Sequence, residues 1–447
     1  MPAAMSDSTH QRIAARLTAK LADSIASPPI AATRRNVHGA TSLPGKATAV
    51  IGMRRAGKTT FLHQVRADWL GRGVGASRIP YINFEDEQLD GITAADLGTL
   101  VEEHYRRYPK LRGQQSVLWC LDEIQVVPGW ERFVRRLLDS EKVEVFLSGS
   151  SAALLSREIA TAMRGRAWEV VIHPFSFEEY LRHHQRAAPS HPDFMSAAER
   201  SALERDFLQF LESGGFPEAQ GLDASTRQRL LTDYVDVAMM RDVVERHAVS
   251  NVAGLRWLVR HLLGNPAGMF SVERFYAALR SQGIAIAKDT VHQLLLHLED
   301  CFLVRTVWLE SESERRRMVH PRKAYPVDTG LIPIYDRSGR ANLGHALETA
   351  VLLELERRHA SVTYVRTREG HEVDFLARTA DSQELIQVCA DARAPDVAER
   401  ELRALTEAAR EHPRAKCRLL TLTQDALPPE LPKSILAQPA YEWMLSS

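Results

Sequence analysis

Gly52-Met53-Arg54-Arg55-Ala56-Gly57-Lys58-Thr59 matches the phosphate-binding pattern G-x-x-x-x-G-K-[ST] without a mismatch. The glycines let the backbone curl so that successive N–H groups point at phosphate oxygens. Lys58 would reach the terminal phosphates, and the Thr59 hydroxyl would sit on Mg²⁺. Arg54, Arg55, Ala56 and Thr60 belong to the same binding stretch. The pattern leaves open whether the two arginines face phosphate, a neighbouring chain or solvent. Ahead of the loop, the β-branched run 47–51 predicts a buried strand, and the residues from Lys58 onward predict a helix.

A second motif supports the first. The apolar run 117–121 ends in Asp122-Glu123. An acid at the carboxyl end of a neighbouring strand holds the Mg²⁺ shell in such sites, and Asp122 is placed for that. Glu123 is placed to activate the attacking water as general base. The apolar run 145–147 then leads into Ser148-Gly149-Ser150. Ser148 or Ser150 contacts phosphate or the attacking water, or else caps the following helix. Arg166, in Arg164-Gly165-Arg166, is the candidate for stabilising transition-state charge, in cis or from a neighbour, against the alternative of a solvated surface arginine.

Bulk properties narrow the setting. The 447 residues suggest about three domains. Lys plus Arg and Asp plus Glu are 57 each, so no global basic excess points to nucleic acid. Cys120, Cys301, Cys389 and Cys417 are widely spaced and read as reduced thiols, without a zinc pattern or a disulfide framework. No apolar run approaches the length of a membrane span, and the expected location is cytoplasmic.

The elements that would position these residues follow from periodicity. Ile13, Leu17, Leu21 and Ile25 make one face of an N-terminal helix that ends at Pro28-Pro29. Strands are predicted at 47–51, 80–84, 117–121, 143–148 and 168–173, alternating with helices at 58–70, 94–107, 130–140 and 151–163. That alternation implies a parallel sheet covered on both faces. Residues 186–262 read as helical, interrupted at Gly214-Gly215-Phe216-Pro217. In 263–312, two apolar helix faces and the strand 302–308 fit a winged helix. Its second helix exposes Lys288, His292, Gln293 and His297, and Arg315-Arg316-Arg317 falls at the wing tip. Residues 321–447 return to mixed α/β, with helices at 345–358 and 395–411 and strands near 362–366, 372–377, 385–389 and 417–422.

GMRRAGKTT, YINFED (81–86), LDEIQ (121–125), LSGSSA (147–152), RGR (164–166) and HPFSFEEY (173–180) resemble the AAA-type ATPases of bacteria and archaea. GGFPEA (214–219), MMRDVVER (239–246), KAYPVDTGLI (323–332) and HEVDFL (371–376) extend the resemblance to the branch ending in a domain of unknown function. The resemblance implies an α/β fold with an AAA+ P-loop NTPase parallel-sheet core, a helical lid, a winged helix and a C-terminal restriction-endonuclease-like domain. Such a nuclease needs a strand acid, then E-x-K on the next strand. Glu348 and Asp374 are the surviving acids, whereas Gln387 stands where an acid is needed and Cys389 where the lysine is needed. A nuclease-like fold with little or no cleavage is expected.

The expected organisation is an N-terminal helix and linker (1–40), ATPase core (41–185), helical lid (186–262), winged helix (263–320) and nuclease-like domain (321–447). The expected function is Mg²⁺-dependent ATP binding and hydrolysis that switches attached DNA- or protein-binding domains. A nucleotide-gated scaffold with little turnover is the alternative, and an active metal-dependent nuclease the second. A homo-oligomer, up to a hexamer, is the expected assembly. DNA and a protein partner both stay open, and no membrane is involved.

Overall fold

A computed structural model of the chain describes residues 7–149, 163, 165–189, 195–336 and 342–446. The chain divides after Ile172 into two units.

The first unit carries a five-stranded, all-parallel sheet: β1 (Ala47–Ile51), β2 (Tyr81–Asn83), β3 (Val117–Asp122), β4 (Val143–Ser148) and β5 (Ala167–Val171). The strand order is β2-β3-β4-β1-β5. Thus β4 lies between the strand entering the phosphate loop and the strand ending in Asp122. β1 pairs with β4 (Ala49 opposite Leu147) and with β5 (Ala49 opposite Glu169). A parallel strand buried on both faces must be apolar throughout, and β1 and β3 are wholly buried. Leu62 and Phe61, from the helix Lys58–Gly71, pack with Val50, Leu118, Phe146 and Val170.

The N-terminal helix Asp7–Ala26 packs on this same unit, against the helix Ala94–Arg107 and β2. Ile13, Leu17 and Leu21 are fully buried, worth about 2 kcal/mol each. Arg66 ties its end by donating to the Ser24 carbonyl at 2.6 Å. The predicted helix at 151–163, together with Ser150 and Arg164, lies outside the described residues.

The second unit is built on an eight-stranded mixed sheet, ordered β13-β12-β11-β10-β9-β7-β8-β6. Its strands are β6 (Gly268–Phe270), β7 (Val304–Leu309), β8 (Arg322–Pro326), β9 (Ser361–Arg366), β10 (Glu372–Arg378), β11 (Gln383–Val388), β12 (Lys416–Thr421) and β13 (Ile435–Pro439). The helix Leu343–Arg357 buries Leu347, Ala350 and Val351 in one core, and the helix Pro395–Glu411 buries Leu405 and Ala408 in another.

The segment predicted as a winged helix forms two helices, Val272–Ser281 and Lys288–Asp300, followed by β7. β7 starts two residues later than predicted. Phe302 takes φ 63 in the turn closing the preceding helix, where the Leu303 N–H reaches back to the Leu298 carbonyl at 3.1 Å. β8 pairs with both β6 and β7, and the charged tract becomes the short helix Glu314–Val319 between β7 and β8. β7 also pairs in parallel with β9, so hydrogen bonding runs continuously from these strands into the C-terminal α/β layer. Of the expected basic face, Lys288, His292 and Gln293 are exposed and His297 is half-buried. His297 stacks on His247 at 3.7 Å, and Lys288 is paired with Glu273.

Candidate active site

Strand β1 delivers the chain to Gly52, whose φ of 145 favours glycine. A Cβ there would lie 2.2 Å from the Ile172 carbonyl oxygen. Arg55 (φ 66) and Gly57 (φ 102) complete the curl. The helix Lys58–Gly71 then begins with no side-chain cap and no acid in its first turn. No side-chain cap competes for its start, and the helix dipole favours an anion there. Lys58, only 5% exposed, folds over the loop and donates to the Gly52 and Met53 carbonyls at 3.2 and 3.1 Å.

The acid half meets this loop directly. Asp122 ends β3 fully buried. Its Oδ2 accepts from Thr59 Oγ1 at 2.8 Å and from the Tyr81 hydroxyl at 2.7 Å. Its Oδ1 accepts from Ser148, whose oxygen in turn accepts the Glu123 backbone N–H at 3.0 Å. A threonine hydroxyl and a buried carboxylate side by side are the donor set for a hard cation such as Mg²⁺. Tyr81 comes from the YINFED stretch, and both burial and the Asp122 charge hold its phenol protonated.

Glu123 follows in the left-handed region, φ 52, where the strand gives way to the short helix Ile124–Val126. Burial pushes its carboxyl up, with the Lys58 charge and a hydrogen bond from Gln125 opposing the rise. A carboxylate raised towards neutrality is better matched to accept a proton from water.

The remaining predicted residues are distributed unevenly. Ala56 is buried in the loop and Thr60 lies on the first helical turn. Arg54 pairs with Glu85 at 3.1 Å, and Arg55 is exposed. Ser148 is brought to Asp122 and Glu123. Arg166 is not brought to the loop. It precedes β5, and its carbonyl accepts the Ala47 N–H at 2.9 Å, at the amino edge of the sheet. The loop leaves the carboxyl edge, about 16 Å away at roughly 3.3 Å per residue. Arg166 is half-exposed and paired with Asp139 there.

Sequence reasoning missed Arg35. This buried side chain donates to the Ala56 carbonyl inside the phosphate loop, while its backbone N–H donates to Gln64 at 3.0 Å. It sits in a polar stretch with no period, so no pattern marks it.

The C-terminal acids also meet, around a residue from another strand. Lys323 Nζ donates to Asp374 at 2.8 Å, Glu372 at 2.9 Å and Glu348 at 3.0 Å. Tyr325 donates to Glu348 at 2.7 Å. Burial, and then the Asp374 charge, push the Glu348 carboxyl up to about 7. Gln387 donates to Glu401 at 2.7 Å, and Cys389 is a half-buried thiol bonded to the Asp391 carbonyl.

The uncharacterized protein MJ1544 of Methanocaldococcus jannaschii is 32% identical over 376 residues, spanning 82% of this chain and 79% of that one. This chain belongs to its family. A Haemophilus influenzae relative is 28% identical over 76% of this chain and 81% of its own. Within the family framework, residues 44–181 match the AAA domain, and residues 204–337 match a domain of unknown function, DUF8612. The Walker-type ATPase paby2304 of Pyrococcus abyssi overlays 72% of this chain and 94% of its own at 15% identity, with a TM-score of 0.39. The family's fold here is a P-loop NTPase parallel-sheet core followed by a mixed-sheet unit. No described helix is long and apolar enough to cross a membrane.

Proposed function

We propose that this protein binds ATP with Mg²⁺ and hydrolyses it. The observation that carries this reading is the contact of Thr59 with Asp122, with Lys58 over the loop and Glu123 beside it. Thr59 and Asp122 would hold Mg²⁺, which when bound neutralises charge on the terminal phosphates. Lys58 exchanges two carbonyl acceptors for phosphate oxygens, a swap favoured by charge. The uncapped helix start and loop amides bind the phosphates. Glu123 takes the proton of the attacking water, and Ser148 holds the Asp122 carboxylate and the Glu123 backbone in register as a positioning residue.

Arg166 has no role towards its own loop in this reading. It serves a neighbouring copy in a homo-oligomer, a role consistent with its exposure and its place at the sheet edge. Turnover would switch the segments read as lid (186–262), winged helix (263–320) and C-terminal domain (321–447), which act on DNA or on a protein partner. Arg315 and Arg316, exposed on the helix Glu314–Val319, are the contact residues in either case.

Steady-state ATP turnover, with and without duplex DNA and with mass followed by light scattering, tests this. Turnover with ATP-dependent assembly supports the reading, and DNA stimulation selects nucleic acid as the partner. Tight ATP binding by a monomer that does not turn over supports a nucleotide-gated scaffold instead.

A further inference from the structure

The nuclease-like reading of the C-terminal unit implies a divalent metal held by Glu348 and Asp374, and the residues there do not fit one. Both oxygens of Asp374 are engaged, Oδ1 by Lys323 and Oδ2 by the Val388 N–H at 2.9 Å. Glu348 Oε1 accepts from Lys323 and Tyr325 together. Gln387, beside Asp374 in the sheet, offers an amide whose oxygen accepts the Asp374 N–H at 3.3 Å and whose nitrogen donates to Glu401. A divalent ion wants about six oxygen ligands, mostly anionic or water. What remains here is a few lone pairs around a fixed positive charge.

That charge is well placed. The Lys323 side chain is 4% exposed, and an ammonium has three N–H donors, matched one to one by Glu348, Glu372 and Asp374. A buried ammonium is retained only when fully paired in this way. Lys323 and Tyr325 stand two apart on β8, so both point to the same face of the sheet and reach the same acids.

We propose that the Lys323 ammonium is the resident cation of this acidic site, standing there in place of the divalent metal. The proposal rests on the reading of that unit as a nuclease-like fold that does not cleave. Lys323 here is an internal counter-ion that holds β8, β10 and the helix Leu343–Arg357 together. Removing its charge while keeping its bulk leaves the carboxylates of Asp374 and Glu348, 10% and 12% exposed, and the part-exposed carboxylate of Glu372 facing one another, which is a demand for a cation.

The test is a Mn²⁺ titration of the full chain without nucleotide, read by the free-Mn²⁺ EPR signal. Every variant also carries Asp122→Asn, so that the phosphate-loop acid contributes no metal. The parent and Asp374→Asn should give the same isotherm. Lys323→Met should gain one Mn²⁺ per chain, bound at least about tenfold more tightly than anything in the parent. Adding Asp374→Asn to Lys323→Met should abolish that gain. A parent chain that binds one Mn²⁺ lost in Asp374→Asn would overturn the proposal, as would a folded Lys323→Met chain that gains none. If Lys323→Met does not fold, the parent and Asp374→Asn comparison decides alone. ATP turnover of the unmodified chain tests the phosphate-loop reading separately, so either can fail without the other.

Discussion

Thr59 Oγ1 donates a 2.8 Å hydrogen bond to Asp122 Oδ2 across 63 residues of sequence. The strand order makes this meeting: β1 and β3 flank β4, and both end at the same carboxyl edge. Replacing Asp122 by Asn keeps the shape and removes the charge that a hard cation needs. Turnover at saturating Mg²⁺ and ATP should fall by about 10²-fold or more, and the Mg²⁺ concentration needed for half-maximal rate should rise. A Mg²⁺ titration of the rate checks both.

Ser148 connects the two acids, so its loss should act through them. Ser148→Ala leaves the buried Glu123 N–H without its acceptor, at a cost of about 1–3 kcal/mol. We expect kcat to drop by about 10–100-fold while ATP still binds. Equilibrium binding of a fluorescent ATP analogue beside steady-state rates separates the two effects.

Arg35 supports the loop from behind. Arg35→Ala should raise KM for ATP several-fold with a smaller change in kcat, because the loop is loosened while Asp122 and Glu123 stay in place. An equal fall in kcat and kcat/KM would instead place Arg35 in the transition state.

Gly52 cannot carry a side chain. In Gly52→Ala a Cβ would meet the Ile172 carbonyl at 2.2 Å, at a φ that L-residues avoid. A loss of about 3 kcal/mol or more is expected, seen as a lowered melting temperature.

In the second unit, Asp328 accepts the Gly215 and Gly330 N–H groups at 2.6 and 2.9 Å. Burial outweighs these bonds and pushes its carboxyl from 3.8 up to about 6. The folded state therefore holds the proton more tightly than the unfolded one. Its contribution is greatest below pH 4 and is lost as pH rises through 6, a change of about 3 kcal/mol. Urea unfolding of wild type and Asp328→Asn between pH 4 and 7 should show a steeper loss of stability in the first, the difference between the two being the part that Asp328 contributes.

The sequence made the first unit legible because its strands are continuous apolar runs ending in chemically loaded turns. Predicted strands at 117–121 and 143–148 lie within a residue of those observed. The helix 395–411 matches Pro395–Glu411. β8 is not legible in the sequence, where Lys323 reads as a surface charge and Pro326 as a strand breaker, although the lysine is buried beside acids 25 and 51 residues away. β13, which ends in Pro439, was hidden for the same reason. GGFPEA and KAYPVDTGLI were legible as motifs, whereas their contact through Gly215 and Asp328 depends on tertiary structure. Arg166 stands in the Arg164-Gly165-Arg166 motif, yet the direction of β5 carries it to the other edge of the sheet.

The most direct measurement is ATP binding and single-turnover hydrolysis in Glu123→Gln beside wild type. The substitution keeps the side chain's size and the Gln125 neighbourhood but removes the base. In Glu123→Gln, ATP should bind with affinity within a few-fold of wild type and hydrolysis should fall by about 10²-fold or more. Hydrolysis at the wild-type rate in the variant would contradict a general base at Glu123, because the proton of the attacking water would then leave by a route that Glu123 does not serve.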